Sequence, residues 1–142
     1  MEYKKQSHCV YHCEYHLVLP TKYRKEIFNE TIATHLKWKL LEITKHYPQI
    51  SIEQATYDKD HAHMLVSIPP KMSVGSVVRL IKTNTSRGIK EKFPFLKDIY
   101  WGTDGIWSEG YFVSTTGINE ETIKKYIDEQ GKEDLGHTKL TI

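Results

Sequence analysis

The stretch YDKDHAHMLVSIPP, residues 57–70, alternates polar and apolar side chains and ends at two prolines. Residues i and i+2 of a β-strand share a face, so His61 and His63 point the same way. The residues that alternate with them face a core: Ala62, Met64, Val66 and Ile68. Pro69 and Pro70 cannot continue a strand ladder. The stretch predicts a strand with two neighbouring imidazoles on its outer face, which suit either a metal site or the polar rim of a sheet.

Turn and cap signals divide the rest of the chain into alternating strands and helices. The first predicted elements are a strand over residues 8–19, a helix over 31–47 capped by Asn29 or Thr31, and a strand over 50–58 in a tight hairpin with the histidine strand. The later ones are a helix within 73–93 capped by Ser73, one or two strands within 98–117 around Gly102 and Gly105, and a helix over 118–131 capped by Asn119 and ended by Gly131.

This β-α-β-β-α-β-α order predicts an α+β fold with a ferredoxin-like split βαβ antiparallel sheet, similar to an RRM, and an added C-terminal helix. The first two helices of such a plan cover one face of the sheet. The histidines then look toward the opposite face, where the added helix can close a site.

Length and charge set broad limits on the protein. Its 142 residues suit one domain over residues 1–131 with a loose tail over 132–142. A formal charge of +2 neither requires nor excludes a nucleic-acid partner. No apolar run approaches the ~18 residues of a membrane span, and the start, MEYKK, lacks the apolar segment of a signal peptide. We expect a cytoplasmic protein with no membrane partner.

Two cysteines lie among histidines in HCVYHCEYH, residues 8–16. On a helix these spacings would suit a zinc cluster, but the Tyr, Val and Leu that follow favour a strand. On one strand Cys9 and Cys13 would lie about 13 Å apart, beyond the reach of one zinc ion or of a disulfide. Neither a zinc site nor a disulfide is favoured.

The last predicted helix carries two stripes of side chains at a spacing of four residues. Ile123 and Ile127 form an apolar stripe, and Tyr126 and Gln130 form a neighbouring one. Two imidazoles and one amide oxygen give three metal ligands and leave positions open for water and a phosphate oxygen. Each part alone has a plainer interpretation, because such a tyrosine is usually packed in a core and such a glutamine is usually solvated.

Cations line one side of the second predicted helix: Arg79, Lys82, Arg87 and Lys90. The basic turn at residues 21–25 adds Lys22 and Arg24. This row suits a groove in which cations follow a phosphate backbone and tyrosines stack on unpaired bases. A solvated basic helix face is the plainer alternative.

Five blocks, in order along nearly the whole chain, carry a resemblance. They are YHLVLPTKYRKEIF (15–28), DHAHMLVSIPP (60–70), IKTNTSRGIKEKFP (81–94), WSEGYFVSTTG (107–117) and IKKYIDEQ (123–130). Together they resemble the HUH single-tyrosine transposases of the TnpA type. The His-hydrophobic-His motif alone would not be specific, but five collinear blocks are.

The resemblance implies a dimeric transposase that moves an insertion sequence as single-stranded DNA, recognises DNA hairpins at the element's ends and works at the nucleoid. It implies that His61, His63 and Gln130 hold a divalent metal ion. Tyr126 is then the nucleophile, and its attack leaves a 5′-phosphotyrosine and a free 3′-OH. Imidazole ligands favour Mn²⁺, and abundance in the cell favours Mg²⁺.

The resemblance also implies active sites shared between two subunits, with the tyrosine helix of one chain docked on the histidines of the other. Gly117 would serve as the hinge before that helix, because glycine tolerates backbone angles that other residues resist. The strand near residues 105–114 would supply pairing between subunits.

Two other functions are open alternatives. A non-catalytic RNA- or single-stranded-DNA-binding module would share the split βαβ plan and stack bases on sheet aromatics, but it would not explain the histidines, tyrosine and glutamine together. A histidine-triad nucleotide hydrolase would show alternating histidines, but its third histidine position falls on Leu65.

Overall fold

A computed structural model of the protein describes residues 3–103, 105–115, 117 and 119–135. Its strands are β1 Lys4–Gln6, β2 Cys9–Tyr11, β3 Glu14–Pro20, β4 Ser51–Asp58, β5 His61–Ser67 and β6 Phe112–Ser114. Its helices are α1 Glu30–His46, α2 Val74–Lys92, α3 Phe95–Ile99 and α4 Glu120–Asp134. A short 3-10 turn at Lys22–Arg24 follows β3.

Four strands form one antiparallel sheet in the order β4-β5-β3-β6. The two central strands, β3 and β5, are separated in sequence by α1 and β4, as the split βαβ plan requires. β1 and β2 pair separately in a two-stranded sheet. The α+β fold with an antiparallel split βαβ sheet is therefore confirmed.

The alternation of β5 decides which face of the sheet carries the main core. Ala62, Met64 and Val66 have no exposed surface, and they pack against the apolar faces of α1 and α2. The caps of these two helices are the predicted ones, since the side chains of Asn29 and Ser73 accept hydrogen bonds from backbone N–H groups three residues on.

The opposite face of the sheet carries α4. Val18 of β3 is buried there against Tyr126 and Ile127. Asn119 caps α4, and its side chain accepts the backbone N–H of Thr122. The added helix thus lies on the histidine face of the sheet, as the sequence predicts.

Two predicted strand boundaries are wrong. The strand over residues 8–19 is divided, because β2 turns away to pair with β1 and the chain joins the main sheet at Glu14. The strand predicted within residues 98–117 is confirmed as β6, but it begins at Phe112, C-terminal to Gly102 and Gly105.

The predicted end of the last helix at Gly131 is also wrong. α4 continues to Asp134, so three residues assigned to the tail belong to the helix. A Cβ at Gly131 would collide with the Arg24 side chain. Gly131 therefore lies inside α4 and leaves room for Arg24 to pack against the helix. Residues 136–142 of the predicted tail lie outside the described residues.

Candidate active site

His61 and His63 line a cavity of about 570 Å³ on the face of the sheet opposite the main core. The β4–β5 hairpin forms one wall, with Thr56, Tyr57, Asp58 and Asp60. Helix α4 forms the other wall, with Ile123, Lys124, Ile127 and Asp128. The pair predicted from the alternating sequence therefore faces an open, polar cleft beside the tyrosine helix.

His61 is oriented by the carboxylate that precedes it. Its Nδ1 lies 3.0 Å from Asp60 Oδ1, and both side chains are 17% exposed. A carboxylate that accepts the Nδ1 proton leaves Nε2 as the lone-pair nitrogen, and this is the usual arrangement behind a metal-binding histidine. The local sequence Asp-His thus prepares Nε2 to bind a cation.

His63 has a second histidine beside it, His16 of β3. His16 Nδ1 lies 3.3 Å from His63 Nε2. Burial lowers the pKa of His63, and the neighbouring imidazoles of His16 and His61 lower it further. A neutral imidazole is the form that binds a metal ion. The sequence analysis did not single out His16, although strand alternation in the YHLVLP block puts it on the same face as Val18.

The donor set at this cavity fits a divalent metal ion that accepts nitrogen ligands. Two imidazoles stand together, and a carboxylate orients one of them. Among residues 3–103, 105–115, 117 and 119–135, no three His, Cys, Asp or Glu side chains converge around one point. The pair therefore needs at least one further donor. The residues that line this cavity include neither Cys9 nor Cys13.

Tyr126 and Gln130 occupy a separate seat between α4 and the segment before β6. Both residues are 2% exposed, and the Tyr126 hydroxyl lies 3.4 Å from Gln130 Oε1. The Tyr126 ring packs against Phe112 at a centroid distance of 5.7 Å. A Cβ at Gly110 would collide with the Gln130 amide and the Tyr126 hydroxyl, so the seat requires glycine there.

This seat keeps the Tyr126 phenol protonated. Burial raises its pKa well above the ordinary value, and the Asp134 carboxylate and the Tyr111 phenol raise it further. Asp134 also fixes the seat, because it accepts the hydroxyl of Ser108 at 2.7 Å and the backbone N–H of Tyr23 at 3.0 Å. A phenol held this way is a poor nucleophile.

The residues that line the histidine cavity do not include Tyr126 or Gln130. One chain thus brings the histidines and α4 together, but it turns the phenol and the amide toward Gly110. The assembly of the two histidines with Tyr126 and Gln130 in one site stays a prediction. Gly117, the predicted hinge, has open space where a Cβ would stand, but its neighbours 116 and 118 lie outside the described residues.

Arg24 connects the two regions. It pairs with Asp60 behind His61 at 3.4 Å and with Asp128 of α4 at 2.6 Å. Its turn is strained, since Tyr23 and Arg24 have φ values of 59° and 53°, and each such residue costs about 1–2 kcal/mol. Arg24 was predicted to bind DNA, and in this structure its guanidinium forms ion pairs with the carboxylates of Asp60 and Asp128.

The predicted cations of α2 line a groove of about 930 Å³ together with Trp107 and Tyr111. Arg79 and Arg87 are exposed in it, and Lys90 is half-buried. The Lys82 ammonium instead donates to the backbone carbonyls of Ser108, Glu109 and Gly110 at 2.7–3.1 Å. Lys22 is close enough to affect Lys82, since it helps lower the Lys82 pKa. Contact of these residues with DNA stays a prediction.

The comparisons with known proteins agree on one family. Residues 9–130 match the family described as transposase IS200 like. The chain is 36% identical to the transposase for insertion sequence element IS200 of Salmonella typhimurium, over 98% of this chain and 90% of that one. The chain belongs to the IS200-like transposase family. It is also 32% identical to the ISDra2 transposase TnpA of Deinococcus radiodurans, over 92% of each chain.

Solved structures agree with this transposase fold. A crystal structure of a Deinococcus radiodurans R1 protein, provisionally assigned as a transposase, superposes with a TM-score of 0.76 at 30% identity, over 89% of this chain and 97% of that one. A REP-associated tyrosine transposase bound to a REP hairpin superposes with a TM-score of 0.51 at 14% identity, over 88% of this chain and 68% of that one. The second likeness concerns the fold alone.

No helix among the described residues is long and apolar enough to cross a membrane. Helices α1 and α2 bury their apolar faces in the main core.

Proposed function

We propose that this transposase cleaves and rejoins single-stranded DNA at the ends of an insertion sequence through a 5′-phosphotyrosine at Tyr126. The observation that carries the proposal is the cavity in which His61 and His63 face α4, the helix that bears the tyrosine. Membership of the IS200-like family supports the same chemistry. We expect the protein to act at the nucleoid, where its substrate lies.

In the proposed reaction Tyr126 supplies the attacking oxygen. The Tyr126 oxygen attacks the scissile phosphorus, and the 3′-oxygen leaves and takes up a proton. A free phenol with a pKa near 10 is ionised in about one molecule in a thousand at pH 7. Burial makes ionisation rarer still. Tyr126 must therefore leave its seat and meet positive charge before it can attack.

A divalent ion, Mn²⁺ or Mg²⁺, would act as a Lewis acid toward the scissile phosphate, an effect worth several kcal/mol. His61 and His63 would hold it through ring nitrogens, and Gln130 would supply an amide oxygen. Lys124 already lines the histidine cavity and adds positive charge beside the phosphate. A phenolate is a good leaving group, so a later 3′-OH can displace it and restore a DNA phosphodiester.

The separation of the tyrosine seat from the histidine cavity favours a site shared between two chains. In one chain Tyr126 and Gln130 face Gly110, so the same helix must move, or dock on a partner, to reach a histidine pair. A swing at Gly117 would deliver α4 of one subunit to the other. β6 is an edge strand, so it can pair with a second copy.

The DNA would lie along the α2 groove and reach the histidine cavity. Arg79 and Arg87 are the cations whose side chains are exposed there, and Lys90 lies beside them. Tyr111 and Trp107 provide apolar surface for unpaired bases. We expect a DNA hairpin with a single-stranded flank to be the ligand.

The test is a covalent adduct on single-stranded DNA that carries the element's end. The wild type should form an adduct that survives a denaturing gel, and Tyr126→Phe should form none while it binds the hairpin equally well. Tyr111→Phe is the matched control, because it removes a nearby phenol and should keep the adduct. Hairpin binding without any wild-type adduct would favour a non-catalytic binding module instead.

Mixed dimers test the shared site. A chain with His61→Ala and His63→Ala, co-expressed with a Tyr126→Phe chain, should regain cleavage, because one site then combines intact histidines with an intact tyrosine. The DNA adduct should sit on the histidine-mutant chain. Inactive mixed dimers, or a monomer that cleaves, would mean that Tyr126 serves its own histidines.

A further inference from the structure

A third cavity, of about 800 Å³, lies beside β4, the strand at the opposite edge of the main sheet from β6. It is lined by residues 4–5 and 11 of the β1–β2 sheet, by residues within 37–44 of α1 and by residues 48–55. We call it the β4 groove. None of the described residues that line it also lines the histidine cavity or the α2 groove, so the proposed reaction gives it no role.

The floor of the β4 groove is apolar. Tyr11, Leu40 and Ile50 are buried there, and Ile52 is half-buried beside them. Leu41 also lines the groove, and 56% of its surface is exposed. The volume falls within the range of about 300–1,000 Å³ that is usual for ligand sites. The groove thus offers an apolar surface to the side chains of a ligand.

Lysines give the rim of the β4 groove a positive charge. Lys4, Lys5 and Lys37 line it, and Glu53 is the acidic residue among them. Lys4 pairs with Glu53 at 3.7 Å. Lys5 and Lys37 are exposed, and within the described part of the chain neither forms an ion pair with an acidic residue. The rim therefore favours a ligand that carries carboxylates.

The groove follows the edge of β4. Five consecutive residues of this strand, 51–55, line it, although successive side chains of a strand point to opposite faces. Only β5 pairs with β4 among the described strands. An edge strand directs N–H and C=O groups away from its neighbour, and an extended peptide can pair with them. The groove therefore combines a strand edge with an apolar floor and a basic rim.

The same residues fit nucleic acid less well. Tyr11 is the aromatic residue among the described residues of the lining, and its burial leaves little ring surface on which a base could stack. The described lining also contains no arginine, the residue that best matches phosphate geometry. Backbone carbonyl groups at a strand edge accept hydrogen bonds from a peptide, whereas a phosphate has no proton to donate to them.

We propose that the β4 groove binds an extended acidic peptide segment of a partner protein. Aliphatic side chains of the peptide enter the floor, its carboxylates pair with Lys5 and Lys37, and its backbone pairs with the edge of β4. The histidine cavity, the α2 groove and the edge of β6 all lie elsewhere. The partner can therefore bind while DNA and a second copy of the chain are bound.

The first test is fluorescence anisotropy on the full chain. The probe is a labelled peptide of eight residues, as long as β4, in which aspartate and valine alternate. A chain with Lys5→Glu and Lys37→Glu should bind it about tenfold more weakly, because two attractions become repulsions. Lys45→Glu is the control, since that lysine is exposed on α1 outside the groove.

A charge exchange separates recognition from general charge effects. A peptide with lysine in place of aspartate should bind the double variant more tightly than it binds the wild type. Equal affinity of the wild type and the double variant for the acidic peptide, with native circular dichroism in both, would overturn the proposal. Failure of the wild type to bind the peptide would mean that the lysines and the register shift at Glu53 only protect the sheet edge from pairing.

The second test locates the peptide by hydrogen exchange. The acidic peptide should slow exchange of backbone N–H groups on alternate residues of β4 and leave β6 unchanged. Unchanged exchange throughout β4 would contradict strand pairing. An oligothymidylate that binds in place of the peptide, with the same dependence on Lys5 and Lys37, would assign the groove to DNA and overturn the proposal. Covalent adduct formation at Tyr126 should be the same in the double variant, so the proposed function stands or falls separately.

Discussion

The histidine cavity and the tyrosine seat lie against the same helix, yet they are opposite kinds of environment. The cavity is open and polar, and a carboxylate prepares His61 inside it. The seat is closed, with Tyr126 and Gln130 each 2% exposed, and burial raises the pKa of the phenol. The histidines thus face an open cavity, whereas Tyr126 would have to leave its buried position for the proposed reaction.

The largest expected effect separates the two regions by metal binding. His61→Ala and His63→Ala should lose Mn²⁺ binding by at least about tenfold and abolish cleavage, because each removes a donor. Tyr126→Phe should keep the metal affinity of the wild type, since its hydroxyl lies in the seat. Calorimetry measures both. Equal losses in Tyr126→Phe and the histidine variants would mean that the two regions form one site within a chain.

Gly110→Ala should disturb the seat and spare the cavity. Its Cβ would collide with the Gln130 amide and the Tyr126 hydroxyl, and overpacking of this kind costs about 1–3 kcal/mol. Gly117→Ala is the control, because a Cβ there meets open space. Urea unfolding should show the loss in the first variant alone. Equal stability of the two variants would show that the seat is looser than the structure indicates.

Arg24→Gln should loosen α4 with a small loss of stability. It removes the ion pairs to Asp60 and Asp128, and exposed pairs of this kind contribute about 0.2–1 kcal/mol each. Hydrogen exchange should become faster in α4 and stay unchanged in α1. Lys59→Gln is the control, since Lys59 forms a longer, exposed pair with Glu26 at 3.9 Å. Unchanged exchange in α4 would mean that Asp134 and apolar packing alone hold the helix.

A further expected effect is the pH dependence contributed by Lys82, which donates to the segment that packs on Tyr126. Burial lowers the Lys82 pKa to about 8 from 10.5. Between these pH values the unfolded chain keeps a proton that the folded chain has lost, so the free energy of unfolding rises with pH. Relative to Lys82→Met, wild-type stability should rise from pH 8 to about 10.5. A constant difference would place the Lys82 pKa near its ordinary value.

Most of the fold could be predicted from local patterns. The alternation at residues 61–68, the caps at Asn29, Ser73 and Asn119, and the apolar stripes of α1 and α2 all depend on neighbours within a few residues. The errors occurred where a distant contact overrode the local pattern. β2 pairs with β1 and so does not join the main sheet. Gly131, which resembled the end of a helix, lies inside α4 because the Arg24 side chain packs where a Cβ would stand.

The sequence by itself determined that His61 and His63 share a strand face and that Tyr126 and Gln130 share a helix face, because strand and helix periods are set by the backbone. The tertiary structure decided how those faces meet. The register of β3 against β5 brings His16 to His63, and the docking of α4 turns Tyr126 toward Gly110 and away from the cavity. Register and docking depend on contacts between residues far apart in the chain, which local periodicity does not specify.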